Sequence, residues 1–274
     1  MQINPLAAIS VHQKHTLPSP YKPPFCVCLP LYILNCLMKS TFILIALFII
    51  QHLYAQQPVE YVHPFTGTDH MGHTYPGASV PFGMVQLSPD TDTVPYSIGK
   101  GYNKDVYAYC AGYQYKDKTI CGFSHTHFSG TGHSDLGDFL LMPTMGPLQL
   151  NPGTRENPES GYRSRFSHEN ESASPGYYSV LLDDSNIFAE LTATERVGFH
   201  RYTYQKSGET NLILDMTAGI YNYPGKNIWQ FVRVENDTLI TGFRQTRGWA
   251  RTRTIYFAML LSKPIGNYGY ENAE

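Results

Sequence analysis

The stretch GFSHTHFSGTGHSD, residues 122–135, sets His125, His127 and His133 among Ser124, Ser129, Ser134 and Asp135. Its glycines make it a poor helix. Four kinds of behaviour fit these residue types. A metal site needs three or four converging N, O or S ligands. The three histidines with Asp135 offer such a set, although their spacing belongs to no particular metal family. A nucleophile needs a serine beside a histidine base, yet none of the serines sits in a G-x-S-x-G elbow. A sugar-binding loop needs donors and acceptors beside aromatic faces. The imidazoles, Asp135, the backbone at Gly130 and Gly132 and the nearby tyrosines suit that. The plainest alternative is imidazoles bonded to backbone that only brace a loop. If FSHTHF is extended, the period of two puts His125 and His127 on one face.

The elements that would position these residues read as β-structure. The chain has 274 residues and a formal net charge of -2, with 15% charged residues, 21 Tyr and 14 Phe. That balance offers no basic footprint for nucleic acid, and the aromatic content is unlike that of a disordered chain. Short β-type runs follow one another: YYSVLL (177–182), IFAELTA (187–193), RVGFHRYTY (196–204), NLILDMT (211–217), WQFVRVE (229–235), TLITGF (238–243) and TIYFAMLL (254–261). Turn residues separate them at the spacing of an antiparallel β-sandwich or barrel. Asn236-Asp237 reads as a hairpin turn. Residues 63–121 are rich in Gly and Pro and read as a long, ordered, irregular segment. The fold class is therefore all-β, an antiparallel sandwich over about residues 59–270 with a loop-rich first third.

The first 55 residues differ. MKSTFILIALFIIQHLYAQQ begins at Met38, with Lys39, an apolar run from Phe42 to Ile50 and Ala55 before Gln56. This is the pattern of a secretory signal over 38–55, and the run is short for a stable membrane span. Residues 1–37 read as an upstream extension, proline-punctuated and without periodicity. Export sets the context for the cysteines. Cys26, Cys28 and Cys36 precede the domain, which keeps Cys110 and Cys121. Those two either pair, as exported cysteines do, or stay as buried thiols.

Several blocks carry a resemblance. HTYPGASVPFGMVQLSPDT, CAGYQYKDKTICGFSHTHFSGTG, DLGDFLLMPTMG, YRSRFSHENESASPGYYSVLL and ELTATERVGFHRYTY follow in order. Together they resemble the N-terminal domain of family 92 glycoside hydrolases, calcium-dependent exo-α-mannosidases of bacteria. The resemblance implies a β-sandwich that precedes a catalytic (α/α)6 domain, with the active site between the two. It implies hydrolysis of terminal α-linked mannose with inversion, a periplasmic or secreted location, and Ca2+ bound mainly by the C-terminal domain. The partners it implies are mannose-containing glycans and the chain's own (α/α)6 domain. The acid and base would lie in that domain, beyond these 274 residues, so Asp117, Asp135 and Asp138 are not nominated for either role. On the same resemblance the pocket-wall residues are Gly72, His73, Tyr107, Cys110, His125 and His127. Relatives often carry a tryptophan before the Cys-Ser/Ala-Gly-Tyr block. DVYAYCAGY has Tyr107 and Tyr109 there, and a tyrosine still packs on a sugar face. The RGWARTRTIYF block with Arg247 and Trp249 is read as structural. The alternative function is a non-catalytic sandwich that binds carbohydrate or docks a partner.

Overall fold

A computed structural model of the chain describes residues 29–52, 57–91, 94–130 and 135–271. It divides into two units, Met1–Gln56 and Gln57–Glu274. In the first, one helix spans Leu29–His52. Pro30 lies in its first turn, where its missing N–H costs nothing, and the helix continues without a break past Met38. Ala55, Cys26 and Cys28 lie outside the described residues. Among the described residues no helix is long and apolar enough to cross a membrane.

The second unit is built from antiparallel strands. A five-stranded sheet has the order Ala78–Ser79, Gln86–Asp90, Gly122–Ser124, Leu140–Met145, Thr210–Asp215. A four-stranded sheet runs Gly198–Tyr204, Ile187–Ala193, Tyr177–Leu182, Glu171–Ser174. One core joins them. Leu87, Phe123, Met142 and Ile213 from the first sheet meet Tyr178, Val180, Leu182, Ile187, Ala189 and Leu191 from the second. Burial alternates along Ile187–Ala193, with Ile187, Ala189 and Leu191 inward and Phe188, Glu190 and Thr192 outward. That period of two fixes the register, because a one-residue slip would turn the apolar set to solvent. The sandwich expected from sequence is thus present. The loop-rich first third also carries two strands of the five-stranded sheet, Ala78–Ser79 and Gln86–Asp90, too short and proline-broken to show alternation.

A third sheet is a meander of Asn227–Val234, Leu239–Thr246 and Arg253–Leu260. Its first turn is longer than the Asn236-Asp237 pair. Glu235 N donates to Leu239 O at 2.8 Å, and Asn236 Oδ1 accepts from the N–H groups of Thr238 and Leu239 at 2.9 and 3.0 Å. The Asn side chain substitutes for a backbone acceptor, which stabilises the wider loop.

Buried charge fixes this meander to the histidine-rich segment. Arg253 Nη2 pairs with Asp138 Oδ2 at 2.9 Å and with Asp135 Oδ1 at 3.2 Å. The buried Arg244 stands 3.6 Å from Asp138 Oδ1 and donates to Gly137 O at 3.2 Å. Asp135 Oδ2 accepts from Trp249 N at 3.1 Å, and Thr126 Oγ1 donates to Asp138 Oδ2 at 2.6 Å. Lys226, fully buried, donates from Nζ to Leu136 O at 3.2 Å and to Ile220 O. Burial first, and then the Arg244 charge, pull its ammonium down to about 7. Cys110 and Cys121 are separate buried thiols and form no disulfide.

Candidate functional site

The histidines do not share a face. The strand Gly122–Ser124 ends in a bend at His125, so the extended reading of FSHTHF fails there. His125 turns toward the four-stranded sheet. Its Nδ1 lies 2.8 Å from Phe139 O, and its Nε2 lies 3.0 Å from His200 Nε2. His200 Nδ1 lies 2.7 Å from Tyr202 Oη. A carbonyl only accepts, so His125 donates from Nδ1 and accepts at Nε2. His200 therefore donates from Nε2 and accepts the Tyr202 hydroxyl at Nδ1. Every link of this chain is satisfied with both rings neutral. Burial pushes His125 down to about 4 and His200 well below the ordinary value.

His127 faces the other way. Its Nδ1 meets Gln86 O at 2.7 Å and its Nε2 meets Asp90 Oδ1 at 3.0 Å. The ring is thus held between a backbone carbonyl and a carboxylate. Ser124 Oγ lies 3.3 Å from the same Nε2. A serine–histidine–carboxylate triad needs the carboxylate on one nitrogen and the serine on the other. Here both crowd one nitrogen and Ser124 is fully buried, so the trio braces the strand end. Gly112, at φ +81°, makes room for it, since a Cβ there would stand 2.3 Å from Asp90 Oδ1. The metal reading fares no better. Among the described residues no group of three or more His, Cys, Asp or Glu side chains is arranged to hold an ion. His133 lies outside them.

A second set of residues does converge. Gly72 permits a close backbone approach, because a Cβ there would lie 2.0 Å from Gly67 O. That tight loop delivers His73, whose φ of 50° is left-handed and whose ring is buried. The ring packs edge-on against Tyr107 with centroids 5.0 Å apart. Its Nδ1 is buried without a hydrogen-bond partner, and burial lowers its basicity. Tyr107 is 43% exposed and sits on the 3-10 turn Lys104–Tyr109, whose start Asn103 caps by accepting from Asp105 N at 3.1 Å. Cys110 ends that turn, its Sγ 2.9 Å from Tyr107 O and 3.0 Å from Tyr221 Oη. The histidine-rich segment joins through Gly130 N, which donates to His73 O at 2.7 Å, and through the Tyr75 ring, 5.2 Å from that of His127.

Gly72, His73, Tyr107 and Cys110 therefore lie in one neighbourhood in which only Gly72 and Tyr107 are exposed, with His127 beside it and His125 directed elsewhere. Sequence reasoning missed Asp90, His200, Tyr202 and Tyr221. The signal for Asp90 was present, since an aspartate at a strand end near a buried histidine demands a partner. His200 and Tyr202 sit in an alternating strand and looked like ordinary core.

With this geometry established, the comparisons with known proteins fall into place. The model of the glycosyl hydrolase family 92 N-terminal domain matches residues 61–274. This chain belongs to that family. A family GH92 alpha-mannosidase from Bacteroides thetaiotaomicron, solved in complex with mannoimidazole, is 43% identical with a TM-score of 0.68, the match covering 76% of this chain and 26% of that one. The GH92 family glycosyl hydrolase ccman5 is 27% identical with a TM-score of 0.57, over 73% of this chain and 26% of its own. An uncharacterized secreted glycosidase of Arthroderma benhamiae is 28% identical over 179 residues, 60% of this chain and 20% of that protein. The chain thus spans about a quarter or less of the length of these relatives.

Proposed function

We propose that this domain forms part of the sugar-pocket wall of an exported α-mannosidase that removes terminal α-linked mannose with inversion. The observation that carries the reading is the convergence of Gly72, His73, Tyr107 and Cys110 in a chain of this family. The exposed Tyr107 ring, held edge-on against His73, offers an aromatic face of the kind a sugar packs on. His127, held by Asp90 and Gln86, stiffens the adjoining loop; His125 acts in packing.

The chemistry itself would come from the remainder of the polypeptide, the (α/α)6 domain expected there. Calcium would be bound mainly by that domain, since the described side chains of this one form no fitting ligand group. Docking of that domain has a suitable surface. Trp229, Phe231, Tyr256 and Leu260 are exposed on one side of the meander, an apolar array of the kind that marks an interaction face. This array also favours the second reading, a sandwich whose role is docking alone.

The test is hydrolysis of an aryl α-mannoside by this chain and by the polypeptide extended to the length of its relatives, with and without calcium chelation. Activity confined to the longer, calcium-loaded protein is expected, with KM raised by His73→Ala and Tyr107→Ala. Activity in the short chain, or variants that leave both KM and kcat unchanged, would overturn the reading.

A further inference from the structure

We propose that the outer face of the four-stranded sheet carries a second, non-catalytic sugar-binding site that takes one neutral pyranose. The site is a shallow, open depression lined by Asn170, Leu181, Asn186, Phe188 and Gln205.

Strand register assembles it. Val180 pairs with Glu171, which brings Leu181 beside Asn170. Leu181 pairs with Phe188, and Phe188 with Thr203. Two positions further, Gln205 N donates to Asn186 O at 3.2 Å. The period of two places Asn186 and Phe188 on the face opposite the core residue Ile187. Asn186 has φ 52°, the left-handed conformation that asparagine tolerates better than most residues.

The lining chemistry selects the occupant. Among the described residues, the side-chain amides of Asn170, Asn186 and Gln205 make no hydrogen bond within the protein and face solvent. Each offers two donors and an acceptor, the complement of hydroxyls that do both. Half-buried Phe188 and Leu181 supply an apolar floor for the C–H face of a ring. No lining residue is ionisable, which favours a neutral occupant. The depression and the His73–Tyr107 neighbourhood share no residue, so the proposal does not rest on the function proposed above. For a polymeric glycan, a second contact would raise the effective concentration at the first.

The test is an NMR titration of the 274-residue chain with methyl α-mannoside and with a mannan oligosaccharide, following side-chain amide resonances. Saturable shifts of Asn170, Asn186 and Gln205 are expected, with a dissociation constant on the order of 1 mM. The double variant Phe188→Ala/Gln205→Ala should weaken binding by about tenfold or more while keeping native amide dispersion. Unmoved carboxamide resonances well above that concentration, or a double variant that binds like the parent, would overturn the proposal. Shifts confined to His73 and Tyr107 would also overturn it, while leaving the pocket-wall reading intact.

Discussion

Acid should loosen the sandwich at the contact between His125 and His200. The hydrogen-bond chain from Tyr202 through His200 and His125 to Phe139 O is complete only while both imidazoles are neutral. Burial holds His125 at about 4, against 6.5 for the free side chain, and His200 well below its ordinary value. The unfolded chain therefore takes up these protons first. Stability is fully present above pH 6.5 and is lost as pH falls from there toward 4. For His125 alone the loss is about 3 kcal/mol, a large share of a domain's usual net stability of roughly 5–15 kcal/mol. His200 adds to it in the same direction. The assay is urea unfolding at steps between about pH 7.5 and about pH 4, comparing the parent with His125→Gln. Glutamine retains a donor and an acceptor but does not titrate. The parent should lose stability more steeply, by about one proton's worth of slope. Parallel curves would refute the reasoning, since they would mean that His125 binds its proton equally in both states.

Three other outcomes follow from particular contacts. Asp138→Ala strips the buried Arg244 and Arg253 of a shared carboxylate and should cost about 3–5 kcal/mol, measured by urea unfolding. Gly72→Ala drives a methyl into Gly67 O. It should cost about 1–3 kcal/mol and, in the full-length enzyme, raise KM for aryl mannoside. Lys226 has its ammonium held down near 7 from 10.5 by burial, so the parent's stability should fall as pH drops from 10.5 through 7 and stay low below that. Lys226→Met should flatten this dependence, and a variant that retains it would assign the titration to another group.

The strands of the second half were legible because each has room for several alternations between clear turns. Ile187–Ala193 and Tyr177–Leu182 match the sequence reading residue for residue. The first sheet was not legible. Ala78–Ser79 and Gly122–Ser124 are too short to display a period, and Gln86–Asp90 contains a proline. The pairing of the histidines was hidden for another reason. His125 finds its partner 75 residues away at His200, and His127 finds Asp90, 37 residues back. Local density of imidazole in GFSHTHFSGTGHSD left a shared ligand open beside a sugar-binding and a bracing role, whereas tertiary structure sends His125 and His127 to separate partners. The Gly72–His73 and Tyr107–Cys110 grouping came from the family pattern, since no local period links two loops about 35 residues apart.

The buried carboxylates of this domain are poorly placed for the proposed hydrolysis. An inverting glycosidase requires one carboxyl free to give a proton and another free to hold water, roughly 6.5–9.5 Å apart. In this domain the enclosed carboxylates already have structural partners. Asp135 and Asp138 hold Arg253, and Asp138 also faces Arg244. Asp90 holds His127, and Glu171 accepts from Tyr113, Tyr178 and His168. Asp117 comes nearest to an acid, because burial raises its carboxyl above the usual range. Yet it accepts the Tyr109 hydroxyl at 3.0 Å, lies 3.7 Å from Arg155 and is only 2% exposed. A proton donor must reach its substrate, and Asp117 is closed off from one. Asp117→Asn should therefore change the stability of the domain and leave the kcat of the full-length enzyme within about twofold. A loss of activity at unchanged stability would return Asp117 to the chemistry.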